Sequence, residues 1–171
     1  MKPIAIALLT TTLLAPSTAF SQTRHRSTRP TKPAATAPVS QVRTAGATRV
    51  GEQIKFLTKF IYLLGGVSSG IAAVDEAARR NEASPAILQK NQQSKATVKS
   101  SITGFRESLD KLEIDFRNTP ELQPFYIKLA GVAAGAATAE EQAAANQFDA
   151  SGRTLLNVIN RLTDVLVVMR Q

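Results

Sequence analysis

From Thr48 onward, apolar residues recur at alternating intervals of four and three along most of the chain. Val50, Ile54, Leu57, Ile61, Leu64, Ser68 and Ile71 keep that alternation and so share one side of an α-helix, the seam of a bundle helix. A second stripe, Phe56, Phe60, Leu63, Val67, Gly70 and Val74, runs beside it at the same spacing. Two adjacent stripes make a wide apolar face, so this helix is expected to touch two or more neighbours. Asn81 to Ser84 ends it, because Pro85 disfavours a helical conformation in the residue before it.

Ser84 as N-cap, with Pro85 in the first helical position, starts a second helix. Its seam is Val98, Ile102, Phe105, Leu109, Leu112 and Phe116, while the turns from Gln89 to Lys95 are polar and predicted to project past the core or fray. Thr119-Pro120 repeats the cap-and-proline device, with Glu121 placed to suit the helix dipole. The third helix carries Leu122, Phe125, Leu129 and Val132, then turns alanine-rich through Ala145. A turn follows at Asn146-Gln147, where Asn tolerates a left-handed conformation. The fourth helix has Gly152, Leu155, Ile159, Leu162, Leu166 and Met169 on one seam.

The expected spans are therefore 48–81, 85–117, 120–145 and 148–170, from roughly 50 Å down to roughly 35 Å long at 1.5 Å per residue. Short connections put sequence neighbours antiparallel, which predicts an all-α fold, an up-down four-helix bundle.

The segment before the helices has a different character. Lys2, an uncharged and mostly apolar run from Ile4 to Ala15, then Pro16 and small residues are the three-part layout of a secretory signal peptide, too short to span a bilayer. Cleavage is expected after Ala19 or Ser21, giving a secreted or periplasmic product of about 150 residues, enough for one domain. Residues 22–47 hold Pro30, Pro33 and Pro38 among Ser, Thr, Ala and Arg, with almost no large apolar residue, and are read as a disordered basic linker.

Charge sharpens this division. The net charge is +8, and residues 22–45 supply +5 of it through Arg24, Arg26, Arg29, Lys32 and Arg43, with no acid. From residue 46 onward fifteen Lys and Arg face thirteen Asp and Glu, so the helical part is nearly neutral. No sequence-specific nucleic-acid binding is expected from that distribution. The arm is either a solvated spacer or a polyanion tether to anionic envelope polymers or a lipid surface.

Reactive chemistry is narrowly bounded. There is no cysteine, and the only histidine is His25, in the linker. Cys–His catalysis, a Ser–His–Asp triad in the folded part, HExxH zinc, His-ligated haem and the Glu-x-x-His ligands of di-iron bundles are thereby excluded. Gly66 to Gly70 spells G-x-S-x-G around Ser68, but a nucleophile elbow needs a strand-to-helix turn and a histidine partner. Ser108 to Lys111 spells S-x-x-K without its companion motifs. Glu107, Asp110, Glu113 and Asp115 could suggest a cation site, yet Arg106–Asp110, Glu107–Lys111, Lys111–Asp115 and Glu113–Arg117 are spaced as i,i+4 ion pairs on a solvated face. The sequence thus predicts no catalytic residue, no cofactor and no metal.

Two features bear on partners. Gly66 with Gly70, and Gly131 with Gly135, place glycines four apart, a spacing that lets backbones approach closely. They either ease packing within the bundle, or mark a close contact between helices one and three, or support a homodimer through one glycine face. Phe60 to Val74 carries no charge for fifteen residues and is read as bundle core rather than a membrane-inserting segment.

The function expected is that of an exported, non-enzymatic helical bundle of the bacterial cell envelope, binding or scaffolding, with the broad apolar face of helix one and the alanine-rich helix three as contact surfaces. An alternative rests on a resemblance. Ser17-Thr18-Ala19-Phe20 followed by an acid-free Ser, Thr, Arg and Pro-rich stretch looks like the two-part presequence of secondary plastids, with Lys55 to Ala73 as a lumen-transfer signal. In that location a basic four-helix bundle is similar to the PsbQ-type extrinsic subunits of photosystem II. A second alternative is a membrane-active or envelope-stress protein acting through helix one.

Overall fold

The computed structural model describes residues 38–171. The expected signal peptide, and the linker as far as residue 37, lie outside the described residues. The described residues are all-helical, without a strand among them, in the order α1 (Val39–Arg79), α2 (Pro85–Asn118), α3 (Gln123–Leu129), α4 (Val132–Ala144) and α5 (Phe148–Met169). They form a helical bundle in which α1 packs on α2 and α5, and α4 packs on the same two helices.

Side-chain contacts fix the directions. Arg43, near the start of α1, donates from Nε to the Met169 carbonyl at the end of α5 (2.8 Å), whereas Ser68, farther along α1, donates to Asp149 at the start of α5 (2.8 Å). Arg49 reaches Asp115 of α2 at 2.7 Å, while Lys95 of α2 reaches back to Asp75 of α1 at 2.7 Å. Both neighbours of α1 therefore run antiparallel to it.

The seams expected from the four-three alternation form the core, except on α5, where Val158 and Val165 are buried in place of the expected Ile159 and Leu166, which lie partly buried beside them. Val50, Leu57, Leu64 and Ile71 of α1 meet Val98, Ile102, Leu109, Leu112 and Phe116 of α2, with Leu155, Val158, Leu162 and Val165 of α5 closing the opposite side. Ser84 caps α2, accepting from the Ile87 amide at 3.4 Å. Asn146 adopts φ 61°, the left-handed turn that separates α4 from α5.

Four expectations are corrected. Helix one begins at Val39, not at residue 48, so the end of the supposed linker is helical. The reason is a docking contact invisible in a segment with few large apolar residues: the Arg43 guanidinium covers the carbonyl end of α5 and lies 5.0 Å from the centroid of the Phe125 ring. Gly46 meanwhile lets α1 approach so closely that a Cβ there would meet Leu122 Cδ2 at 2.7 Å.

The third helix begins at Gln123, not at residue 120, since Thr119 ends α2 as its C-cap, and it is broken rather than continuous. Gly131 takes φ +91°, and the exposed carbonyls of Ala130 and Gly131 accept from Arg161 at 2.6 and 3.3 Å. Glu113 then accepts from the Ala133 amide at 2.8 Å, satisfying one of the free N–H groups at the start of α4.

The first turns of α2 do not fray or project. Asn91 is buried and donates to Asp75 at 2.7 Å, beside Lys95 on the same carboxylate. Finally, none of the four expected i,i+4 pairs on α2 forms among the described residues. Asp115 instead pairs with Arg49 of α1, and Arg106 with Glu140 of α4 at 2.7 Å. Flanks of α2 that face neighbouring helices offer better-held partners than a flexible pair on one exposed face.

Candidate docking surface

The two stripes of α1 have different fates. The seam is buried, but Phe56, Leu63 and Val67 of the second stripe stay exposed, with Phe56 and Leu63 more than half accessible. Tyr62, on the outward side, is 83% exposed. By length and composition α1 is apolar enough to cross a membrane, yet only 22% of its most apolar 18-residue window is buried.

The cause lies on α2. Opposite Leu63, Val67 and Gly70 this helix presents Lys90, Gln93, Ser94, Thr97 and Ser101, side chains that cannot cover an apolar neighbour. The two helices therefore leave a groove of about 420 Å³ between Phe60 and Ser101, which continues past Val67 into a second space of about 400 Å³ ending at Val74 and Ile87. Farther along, where α2 offers Phe105, the stripe closes: Phe60 and Phe105 meet edge to face with centroids 5.1 Å apart. Among the described residues Lys90 has no carboxylate within ion-pair distance.

Of the four paired glycines, Gly135 alone stands at a close helix contact. A Cβ at Gly66 or Gly70 would meet nothing within 4 Å, so neither residue brings α1 against α4, which lies diagonally across the bundle. Gly135 does serve a close approach, but to α5, where Val158 Cγ2 lies 2.9 Å from the position of a Cβ. Gly131 belongs to the break between α3 and α4. Gly152 marks the approach of α5 to Leu64 of α1 at 3.3 Å. The sequence placed Gly152 on the α5 seam but did not mark Gly46, since an isolated glycine near a helix start carries no spacing signal.

Of the proposed tether, Arg24, Arg26, Arg29 and Lys32 lie outside the described residues. Arg43 lies on α1 and bonds to the carbonyl end of α5. Ser68 sits in the middle of α1, bonded to Asp149 and to the Gly65 carbonyl at 3.2 Å, the geometry of a satisfied helix serine. Ser108 back-bonds to the Gly104 carbonyl at 2.8 Å. Among the described residues no three His, Asp or Glu side chains converge as a metal site would require. No family model, curated protein or solved structure matches the chain.

Proposed function

We propose that the chain is an exported, non-enzymatic bundle of the bacterial cell envelope that acts by docking, through the uncovered apolar face of α1. The supporting observation is the exposed apolar surface of Leu63 and Val67 beside a polar wall of α2, with Phe56 open beyond the Phe60–Phe105 contact. Contiguous apolar surface left open on a water-soluble fold marks an interaction site. Export is read from the charged, apolar and small-residue layout of residues 1–21, and the arm holding Arg24, Arg26, Arg29 and Lys32 would add affinity for anionic polymers or lipid.

The lumenal alternative places the mature N-terminus near residues 45–50 or 73, and a cut at residue 73 would remove Val50, Leu57, Leu64 and Ile71 from the core. A photoreactive residue at Leu63, introduced in exporting cells, is expected to give covalent adducts. One at Ile127 of α3, which is more open still, is expected to give none. Mass spectrometry of the same material should place the mature N-terminus at Phe20 or Gln22. Adducts at neither position, or an N-terminus within α1, would overturn the reading.

A further inference from the structure

The exposed side of α1 has an internal order that the bundle itself does not use. Glu52, Lys59, Gly66, Ala73 and Arg80 follow one another at intervals of seven, and all five are exposed. A line at that spacing runs along a helix with a slow drift of about 20° per step. It therefore stays on the outward side of α1, opposite the buried seam. Flanking it are four adjacent pairs: Lys55-Phe56, Tyr62-Leu63, Ser69-Gly70 and Glu76-Ala77.

Reflected about Gly66, this line is complementary to itself except at Lys59, which falls opposite Ala73, a long side chain over a small one with no acid facing it. Glu52 falls opposite Arg80, so an acid meets a base at each end. The bulky pair Tyr62-Leu63 falls opposite Ser69-Gly70, where a Cβ on Gly70 would meet only open space. Lys55-Phe56 falls opposite Glu76-Ala77, again charge against charge and large against small. Gly66 meets itself, with open space at its Cβ position. Between the charged ends, residues 60–74 carry no charge at all.

We propose that this face binds a second copy of the chain, α1 against α1 and antiparallel, with the two-fold axis passing at Gly66. The inference rests on the docking reading above and names its occupant. A two-fold interface requires one patch to be self-complementary about its centre, and this patch is. Small residues at the axis let two backbones come close enough for Tyr62 and Leu63 to reach across. Leu63 of each copy then lies over Gly70 of the other, at the mouth of the groove that Val67 and Val74 line. At present Arg80 shares Glu76 and Glu82, and Glu76 shares Arg79, all on the exposed surface. Such pairs contribute little and exchange readily for partners across an interface.

The absence of cysteine makes a direct test available. Protein purified from an exporting host is expected to show twice the monomer mass by light scattering at micromolar concentration. Gly66→Cys, under oxidation, should give a disulfide-linked dimer, while Ile127→Cys gives no disulfide-linked species under the same conditions. Leu63→Glu should return the protein to monomer with its helical circular dichroism unchanged. Glu52→Arg should weaken dimerisation about threefold to tenfold, as expected for two exposed pairs turned repulsive, and Arg80→Glu in the same chain should restore it. A monomer mass for the parent protein with no Gly66→Cys cross-link would overturn self-pairing. If that monomer floats with phosphatidylglycerol vesicles and Leu63→Glu does not, the face belongs to lipid, and self-pairing is wrong while docking stands. If photoreactive Leu63 gives no adduct either, the docking reading fails as well.

Discussion

α5 and α1 lie side by side, yet they treat their apolar residues in opposite ways. Eight of the 22 residues of α5 are buried, and its inward face runs without interruption from Phe148 to Met169. α1 has 41 residues and buries six. The difference is in the neighbours rather than in the helices. α5 lies between α1 and α4, and both offer it apolar or small side chains such as Leu64, Ala136 and Ala139. α1 has apolar residues on the α2 side as well, but there Lys90, Ser94 and Thr97 decline to cover them. Burial is a property of pairs of surfaces, and one helix cannot achieve it alone.

The sharpest way to break this contrast uses one residue type on one helix. Leu57 is fully buried and Leu63 is half exposed, two turns of the same α1. Leu57→Ala is expected to cost about 2–5 kcal/mol of unfolding free energy, the range for a truncated core leucine. Leu63→Ala, measured in protein dilute enough to be monomeric, should change stability by no more than about 0.5 kcal/mol. Urea titration followed by circular dichroism reads both. Equal losses would mean that the second stripe is packed after all.

Glycine sharpens the same contrast with a smaller effect. Gly135→Ala pushes a methyl against Val158 Cγ2, a stiff β-branched side chain on α5, and should destabilise by about 1–3 kcal/mol. Gly66→Ala adds the same methyl where nothing stands within 4 Å, and should stabilise dilute protein by about 0.5–1 kcal/mol through helix propensity alone. Opposite signs from one chemical change separate a helix interface from an open face. Thermal melts of the two variants suffice to read the signs.

Much of the fold was legible because several local signals agree. At α2 the cap, the proline and the seam point to the same residues, and at α5 the asparagine turn sets the start, so Pro85 and Phe148 begin their helices as expected. What stayed hidden depends on contacts between distant segments. The first turns of α1 look like linker until Arg43 finds the carbonyl end of α5. The break at Gly131 disappears into an alanine run, because glycine in a helix and glycine in a left-handed turn read alike until Arg161 and Glu113 are seen to satisfy the freed backbone groups. The apolar stripe of α1 was plain in the sequence, but not its exposure. The missing step was to ask what α2 sets against it. Between Gln89 and Ser101 that helix has Val98 as its one large apolar residue, too little to cover Leu63 and Val67 together.

Thiol reactivity tests the exposure of this stripe most directly, since a chain without cysteine reports only the cysteine placed in it. Leu57→Cys, Leu63→Cys and Val67→Cys would be labelled with a maleimide at nanomolar protein, below the concentration at which copies associate. Leu63→Cys and Val67→Cys are expected to react within about tenfold of a free thiol, while Leu57→Cys reacts only as fast as the bundle opens. Protection of Leu63→Cys and Val67→Cys to the level of Leu57→Cys in the isolated monomer would contradict the account, because the chain would then be covering its own apolar face.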